Sequence, residues 1–313
     1  MILFALRRIA VGLVLTILMT LITYWLLSFS FDNIVANQLG QAANPATIAE
    51  LSADMGFDRP LLEQYLGWLL GVFRGDFGVS LFTKEPVAAA VIARLTVTLS
   101  VVVPALLIST VVAVVLGVFA ASRAGVADKV TQGVMLVGYL VPGLLVAILL
   151  VVIFAVNLGW LPATGFTPFA EDPGKWLASV IIPVTVLSIG GSANIASQVR
   201  GAMVDELRKD YVRTLRSRGI PTSSIVLRHA FRNAAGPALT VFSLEFLAMF
   251  GMALIIEQVF ALPGFGTYSF NSALIGDVPV IMGLAVFGTM LTIIVNLLAD
   301  LGNGWLNPKA RVY

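Results

Sequence analysis

The chain has 313 residues, 58% of them hydrophobic and 12% charged, with a mean hydropathy of +0.96. Nineteen basic and seventeen acidic residues cannot cover the surface of a soluble protein this long, so composition excludes an ordinary globular domain and specifies an integral membrane protein. Without cysteine there is no disulfide, thiolate or Cys-metal chemistry, and one histidine, His229, leaves no His-based metal cluster.

Residues 1–31 hold a short N-terminus and the first span. Arg7-Arg8 precede an uncharged run, Ile9–Phe31, long enough as a helix to cross ~30 Å of hydrocarbon. It is too long for the apolar core of a signal peptide, and no small-x-small cleavage site follows closely, so it is expected to stay as an anchor. Residues 32–94 form a mixed, more acidic loop. Within it Leu61, Leu62, Tyr65, Leu66, Leu69 and Leu70, with Trp68 and Phe73, predict a short amphipathic helix on the membrane or on the bundle. Asn44-Pro45, Arg59-Pro60 and Gly75-Asp76-Phe77-Gly78 punctuate the loop.

Residues 95–302 carry five more predicted spans: Leu95–Ser122, Val130–Asn157, Leu177–Val199, Pro237–Phe260 and Pro279–Ala299. Leu158–Trp176 reads as a loop whose Trp160 and Trp176 suit a membrane–water interface. The second half of the fourth span, Ser188–Gln198, is small and polar. Glu245 and Glu257 interrupt the fifth. Ala261–Val278 is a loop containing Pro263-Gly264-Phe265-Gly266, and residues 303–313 are a tail with Lys309 and Arg311.

Six spans put both termini on one side. That side holds Arg7, Arg8, Arg123, Lys129, eight basic residues between Arg200 and Arg232, Lys309 and Arg311, while five of the nineteen basic residues lie opposite. The positive-inside rule then makes both termini cytoplasmic, together with the charged segment 201–236 between spans four and five.

In that segment Val204, Leu207, Tyr211 and Leu215 predict one apolar helical stripe, and Asp205 stands four residues before Lys209, the spacing of an ion pair. Gly219 fits the left-handed position that ends a helix, with Pro221 two residues on. Thr222, Ser223 or Ser224 is a candidate cap for a second helix, on which Leu227, Phe231 and Ala234 form an apolar stripe and Arg228 and Arg232 a basic face. Two readings fit: a basic loop touching anionic lipid, or a helix–turn–helix docking element for a cytoplasmic partner.

Tyr211-Val212-Arg213-Thr214, Arg216-x-Arg218-Gly219 and Leu227-Arg228-His229-Ala230-Phe231-Arg232-Asn233-Ala234 with Pro237 resemble the coupling loop of ABC-importer permeases, above all the B-type permease of oligopeptide/dipeptide importers. The likeness extends along nearly the whole chain: Arg7-Arg8, Asp58-Arg59-Pro60, Gln64-Tyr65, Arg74-Gly75-Asp76-Phe77-Gly78-x-Ser80, Leu158-Gly159-Trp160-Leu161-Pro162, Glu257-x-Val259-Phe260-x-x-Pro263-Gly264-x-Gly266 and Asn307-Pro308-x-x-Arg311. Leu215, where the family usually has alanine, and Glu245 depart from its pattern.

The resemblance implies an all-α, six-span type I ABC importer permease in a prokaryotic inner membrane, with a cytoplasmic coupling helix. It implies a heterodimer with a second permease, two cytoplasmic ATPases that bind ATP and Mg, and an extracytoplasmic substrate-binding protein. This chain itself has no phosphate-cradling G-x-x-x-x-G-K-[ST] loop, so it is expected to bind no cofactor and catalyse no reaction. Tyr211, Arg213, Thr214, Arg216, Arg218, Gly219, Ile220, Pro221, Ser223 and Leu227 would couple to the ATPase. Ser188, Ser192, Asn194, Gln198 and Glu245 are candidate pathway residues, with helix–helix hydrogen bonding as the alternative. Glu257, Pro263 and Gly264 are candidates for an outer gate, and His229 for a structural contact. Nickel and glutathione importers share the pattern. A proton-driven secondary transporter titrating Glu245 is the rival class. A membrane enzyme lacks a visible nucleophile–base pair, and nucleic-acid binding lacks interleaved aromatics in the basic loop.

Overall fold

The computed structural model describes residues 2–123 and 125–306, apart from the side chains of 2–5, 235–240 and 303–306. The C-terminal motif from Asn307, with Lys309 and Arg311, and the side chain of Pro237 lie outside the described residues. The elements in order are α1 (Ile2–Ser28), α2 (Phe31–Leu39), α3 (Pro45–Asp54), α4 (Leu61–Phe73), α5 (Val87–Ser122), α6 (Val126–Leu140), α7 (Gly143–Leu150, extended by π-helical turns over Val151–Asn157), α8 (Pro173–Leu207) and α9 (Asp210–Ser217). The short α10 (Thr222–Ser224) runs through a π-helical stretch, Ile225–Ala230, into α11 (Phe231–Val259), and α12 (Phe265–Ile275) and α13 (Val278–Leu306) follow.

Among the described residues five helices are long and apolar enough to cross a membrane: Leu6–Ser28, Val87–Ser122, Pro173–Leu207, Val241–Val259 and Val278–Gly302. The third expected span, Val130–Asn157, is not one helix. It bends by 90° between α6 and α7. The cause is Pro142: Val141 before it adopts an extended ψ of 120°, as steric clash with a proline ring demands. Three more boundaries move. α5 starts at Val87 rather than Leu95, because a lone Arg94 does not stop an alanine-rich helix. α8 starts at Pro173, where Asp172 accepts the Gly174 and Lys175 amides at 2.9 and 3.0 Å and proline occupies the first turn. The loop after Phe260 contains α12, closed by left-handed Gly276.

The chain forms two compact units: Thr98–Leu262 with the chain from Val295 on, and Ile2–Val97 with Pro263–Ile294. In the first, α8 is the central element, packed against α6, α7 and α11. Arg200 on α8 grips Asp128 on α6 through two bonds, 2.7 and 2.6 Å. In the second, α4 packs on α1 as the predicted amphipathic helix. The Thr20 and Tyr65 hydroxyls lie 2.9 Å apart, and the Tyr24 hydroxyl donates to Gln64 Oε1 at 2.7 Å. Around them Tyr24, Phe31, Ile34, Tyr65, Val278 and Met282 form a buried cluster.

The Arg74–Ser80 motif belongs to this second unit. Gly78 N–H bonds Asp76 Oδ1 at 2.9 Å, turning the chain so that the Ser80 hydroxyl donates to Asp277 Oδ2 at 2.5 Å. Leu81 N–H donates to Asp277 Oδ1 at 3.2 Å. Asp277 is buried and also starts α13, its carbonyl accepting the Ile281 amide. One residue thus fixes, through its carboxylate and its carbonyl, a loop and a helix start nearly two hundred residues apart in sequence.

Candidate functional site

The charged segment folds as helix, glycine turn, helix, with its first helix cut in two. α8 ends at Leu207 and α9 begins at Asp210, with Lys209 extended between them. The predicted stripe Val204, Leu207, Tyr211, Leu215 therefore spans two helices and is only half-buried. The buried positions are Met203, Glu206 and Val212. Lys209 pairs not with Asp205 but with Glu206, at 2.5 Å, and Arg213 lies 3.7 Å from Asp210 in an exposed pair that contributes little.

Glu206 is the centre of this region, with 6% of its surface exposed. Its carboxylate accepts from Lys209 Nζ, from the Tyr211 hydroxyl at 2.9 Å and from Asn233 Nδ2 at 3.2 Å. Three elements, the end of α8, the start of α9 and the start of α11, meet on one buried charge. Glu206 holds the Lys209 ammonium above its ordinary pKa, and burial raises that of the Tyr211 phenol. Sequence reading missed Glu206, because its partners assemble only after the break at Arg208–Lys209.

The glycine stop is as expected. Gly219 has φ +73°, its N–H bonds the Arg216 carbonyl at 3.0 Å, and Ile220 N–H bonds the Leu215 carbonyl at 3.2 Å. This is the double-bonded helix end that favours glycine at the left-handed position. The second helix begins differently from expectation: Pro221 precedes it and no hydroxyl of Thr222, Ser223 or Ser224 caps it. The start of its stripe is also rotated, because the wider π-helical turns shift its phase, whereas Ala234 is buried as expected. Ile225, Val226 and Ala230 are buried, whereas Leu227 is 63% exposed. Phe231 and His229 are half-buried, and Arg228 and Arg232 are exposed.

Of the predicted coupling residues, Arg213, Thr214, Arg216, Arg218, Gly219, Pro221, Ser223 and Leu227 are exposed, and Tyr211 and Ile220 are half-buried. α9, the turn and α10 therefore present one polar, basic rim with an apolar Leu227 beside it.

The predicted pathway residues divide. Asn194 on α8 donates from Nδ2 to Glu245 Oε2 on α11 at 2.5 Å, and Glu245 is 7% exposed. The Ser188 hydroxyl bonds the Ala105 carbonyl at 3.2 Å, and the Ser109 hydroxyl bonds the Ser188 carbonyl at 3.1 Å, so this part of α8 is stitched to α5. Ser192 is buried and Gln198 exposed. Glu257 is 2% exposed and accepts the Thr98 hydroxyl, while its carbonyl receives the Leu262 amide at 2.8 Å. Gly264 is buried at the start of α12 and Pro263 is exposed.

An all-α set of membrane-crossing helices, interrupted by a soluble helix–turn–helix between the fourth and fifth spans, defines the permease of a type I ABC importer. The chain belongs to the family described as binding-protein-dependent transport system inner membrane component, which it matches over residues 113–312, and residues 1–102 match the corresponding N-terminal family. It is a multi-pass inner-membrane protein and an importer permease subunit.

Among similar proteins, a relative from Brucella abortus named as a peptide transport system permease is 34% identical over 307 residues, 98% of each chain. The glutathione transport system permease GsiC of Pectobacterium atrosepticum is 32% identical over 87% of each chain. The oligopeptide transport system permease AppB of Bacillus subtilis is 31% identical over 81% of this chain and 82% of its own. In fold, the chain is similar to a chain from the MetNI methionine ABC transporter in inward-facing conformations. The TM-score is 0.58 at 15% identity, covering 71% of this chain and 99% of that one.

Proposed function

We propose that this chain forms half of the translocation pathway of an ATP-driven peptide importer, and that separate cytoplasmic ATPases, which bind ATP and Mg, move it through residues 201–236. The observation that carries the coupling role is the pairing of an exposed rim with a buried anchor. Arg213, Thr214, Arg216, Arg218, Gly219, Pro221, Ser223 and Leu227 face outward, with Tyr211 and Ile220 at the rim's edge, while Glu206 ties the same element to α8 and α11. A rigid rim transmits displacement to the spans, which is what a rocking transition needs. Relatives named for peptide transport support the cargo class.

In this reading the second half of the pathway is a related permease, a substrate-binding protein delivers cargo from outside, and both termini are cytoplasmic. Ser188, Ser192, Asn194, Gln198 and Glu245 face or shape the pathway, and Glu257, Pro263 and Gly264 shape its outer end. The test is the complete importer in proteoliposomes, with ATP inside and trialanine outside. ATP-dependent uptake, abolished by Leu227→Asp together with loss of ATPase co-purification, is the expected result. Uptake that follows a pH gradient without ATPase subunits would replace this reading with a secondary transporter, for which the buried Glu245 is the one favouring observation. The glutathione permease among the relatives makes glutathione the second cargo to test.

A further inference from the structure

Glu245 stands buried within the fifth membrane span, where an ionisable group is costly and is kept only for a partner or a task. Its carboxylate lines a cavity of about 430 Å³ bounded by α8, α11 and the break between α6 and α7. Met249 and Met252 supply soft apolar walls, Tyr139 and Pro142 border the 90° break, and Gly190 and Gly191 leave backbone uncovered on the α8 side. The small residue at 191 is needed there. A Cβ on Gly191 would stand 3.1 Å from Glu245 Oε1, 3.0 Å from the Ser109 hydroxyl and against the tip of Met249. The backbone of α8 is thus pared away where the carboxylate lies.

Asn194 is a polar partner of Glu245, and it is neutral. Its amide orients one oxygen and supplies no positive charge. A carboxylate in an apolar cavity with a neutral orienting group is a receptor for a cation: it offers one strong acceptor and an environment in which a charge–charge contact is little screened. The methionine walls accommodate varied apolar neighbours of that cation, because thioether side chains adapt their shape.

We propose that Glu245, oriented by Asn194, recognises the ammonium group of the cargo as it passes. This makes it a specificity-determining contact for substrates with a free amino terminus. The proposal rests on the peptide-importer reading above and adds to it the chemical group that is read. Gly191 is part of the same device, since any larger residue would displace the tip of Met249 and crowd the carboxylate.

The experiment uses the complete importer in proteoliposomes with two probes, trialanine and N-acetyl-trialanine. Glu245→Gln keeps the shape and the bond to Asn194 but removes the charge, and Glu245→Asp keeps the charge. The expected result is a roughly tenfold loss of trialanine uptake in the Gln variant, the factor that corresponds to 1.4 kcal/mol of lost discrimination. The Asp variant restores most of it, and uptake of the acetylated probe changes less than about twofold in the Gln variant. Should the wild type reject the acetylated probe, its acceptance by the Gln variant supports the proposal and its continued rejection overturns it. Equal losses for both probes, or no loss for either, also overturn it. Failure of the Gln variant to assemble with its partner permease, cured by Asp, would assign the carboxylate to a cation of that partner and overturn it as well. A wild-type importer that takes up no peptide at all defeats the peptide reading itself, whereas normal trialanine uptake by the Gln variant defeats this inference alone.

Discussion

The carboxylate of Glu206, at the end of α8, accepts the side-chain amide of Asn233, near the start of α11, across 3.2 Å. Between them the chain makes the whole excursion through α9, Gly219 and α10. The two ends of the coupling element are therefore joined at its base, and Tyr211 and Lys209 bond the same carboxylate. Removing it takes the shared acceptor from half-buried Tyr211 and from exposed Lys209 and Asn233, so the base of the element loses three bonds to a charged group at once. Glu206→Ala is expected to lower the thermal stability of the purified importer and to reduce cargo moved per ATP hydrolysed. Tyr211→Phe, which deletes one hydroxyl, should do the same more weakly. Uptake per ATP equal to wild type in both variants would show that the joint does not transmit motion.

Gly219 tests the stiffness of the same element. Nothing lies within 4 Å of the position a Cβ would take, so a substitution there meets only backbone strain. For a non-glycine residue at φ +73° that strain is about 1–2 kcal/mol, more for a β-branched side chain and less for asparagine. Gly219→Val should uncouple ATP hydrolysis from uptake while assembly persists, and Gly219→Asn should remain near wild type. Paired uptake and ATPase assays decide it, and equal behaviour of the two variants would refute the strain account.

Asp277 makes a prediction in the other unit. Its two oxygens hold Ser80 and Leu81, so Asp277→Ala should release the loop around Gly75–Glu85. Trypsin would then cut faster at Arg74 and Lys84, both exposed at the loop's ends. Asp277→Asn, which can still accept one bond, should give intermediate cleavage. Unchanged cleavage in the Ala variant would mean that the glycine turns alone fix the loop.

Asp172 gives a pH dependence with a definite sign. The Lys175 and Gly174 amides bond its carboxylate and hold its pKa below the ordinary 3.8, the Lys175 bond contributing most. A depressed folded-state pKa adds stability that is complete above the unfolded value and disappears as pH falls through the folded one. Amide exchange at Gly174–Trp176 in the wild type should therefore match that of Asp172→Ala in strong acid and be slower than it near neutral pH. Identical exchange at both pH values would remove the cap from the account.

The sequence revealed the spans because long apolar runs have few alternatives, and Gly219 because a left-handed stop is a local signal. Pro142 was visible too, but an uninterrupted apolar run on both sides masked the bend it causes. α12 escaped because Gly266, Ser269 and Asn271 dilute its apolar pattern to that of a loop. Glu206 and Asp277 were illegible for another reason. Each is defined by partners far away in sequence, and no spacing rule marks the residue on which they converge. The rotation of Leu227 to the surface likewise depends on π-helical turns that ordinary helical periodicity does not foresee.

From Thr222 to Val259 the chain turns without a break, so the residue beside Pro221 and the end of the fifth span are joined along one continuous helical path, roughly 55 Å at 1.5 Å per residue. Such a path is a lever. A pivot of about five degrees at one end sweeps the other through roughly 5 Å, close to one helical turn. A displacement of that size at Thr222 would thus reappear as a tilt of the fifth span, with no further moving part.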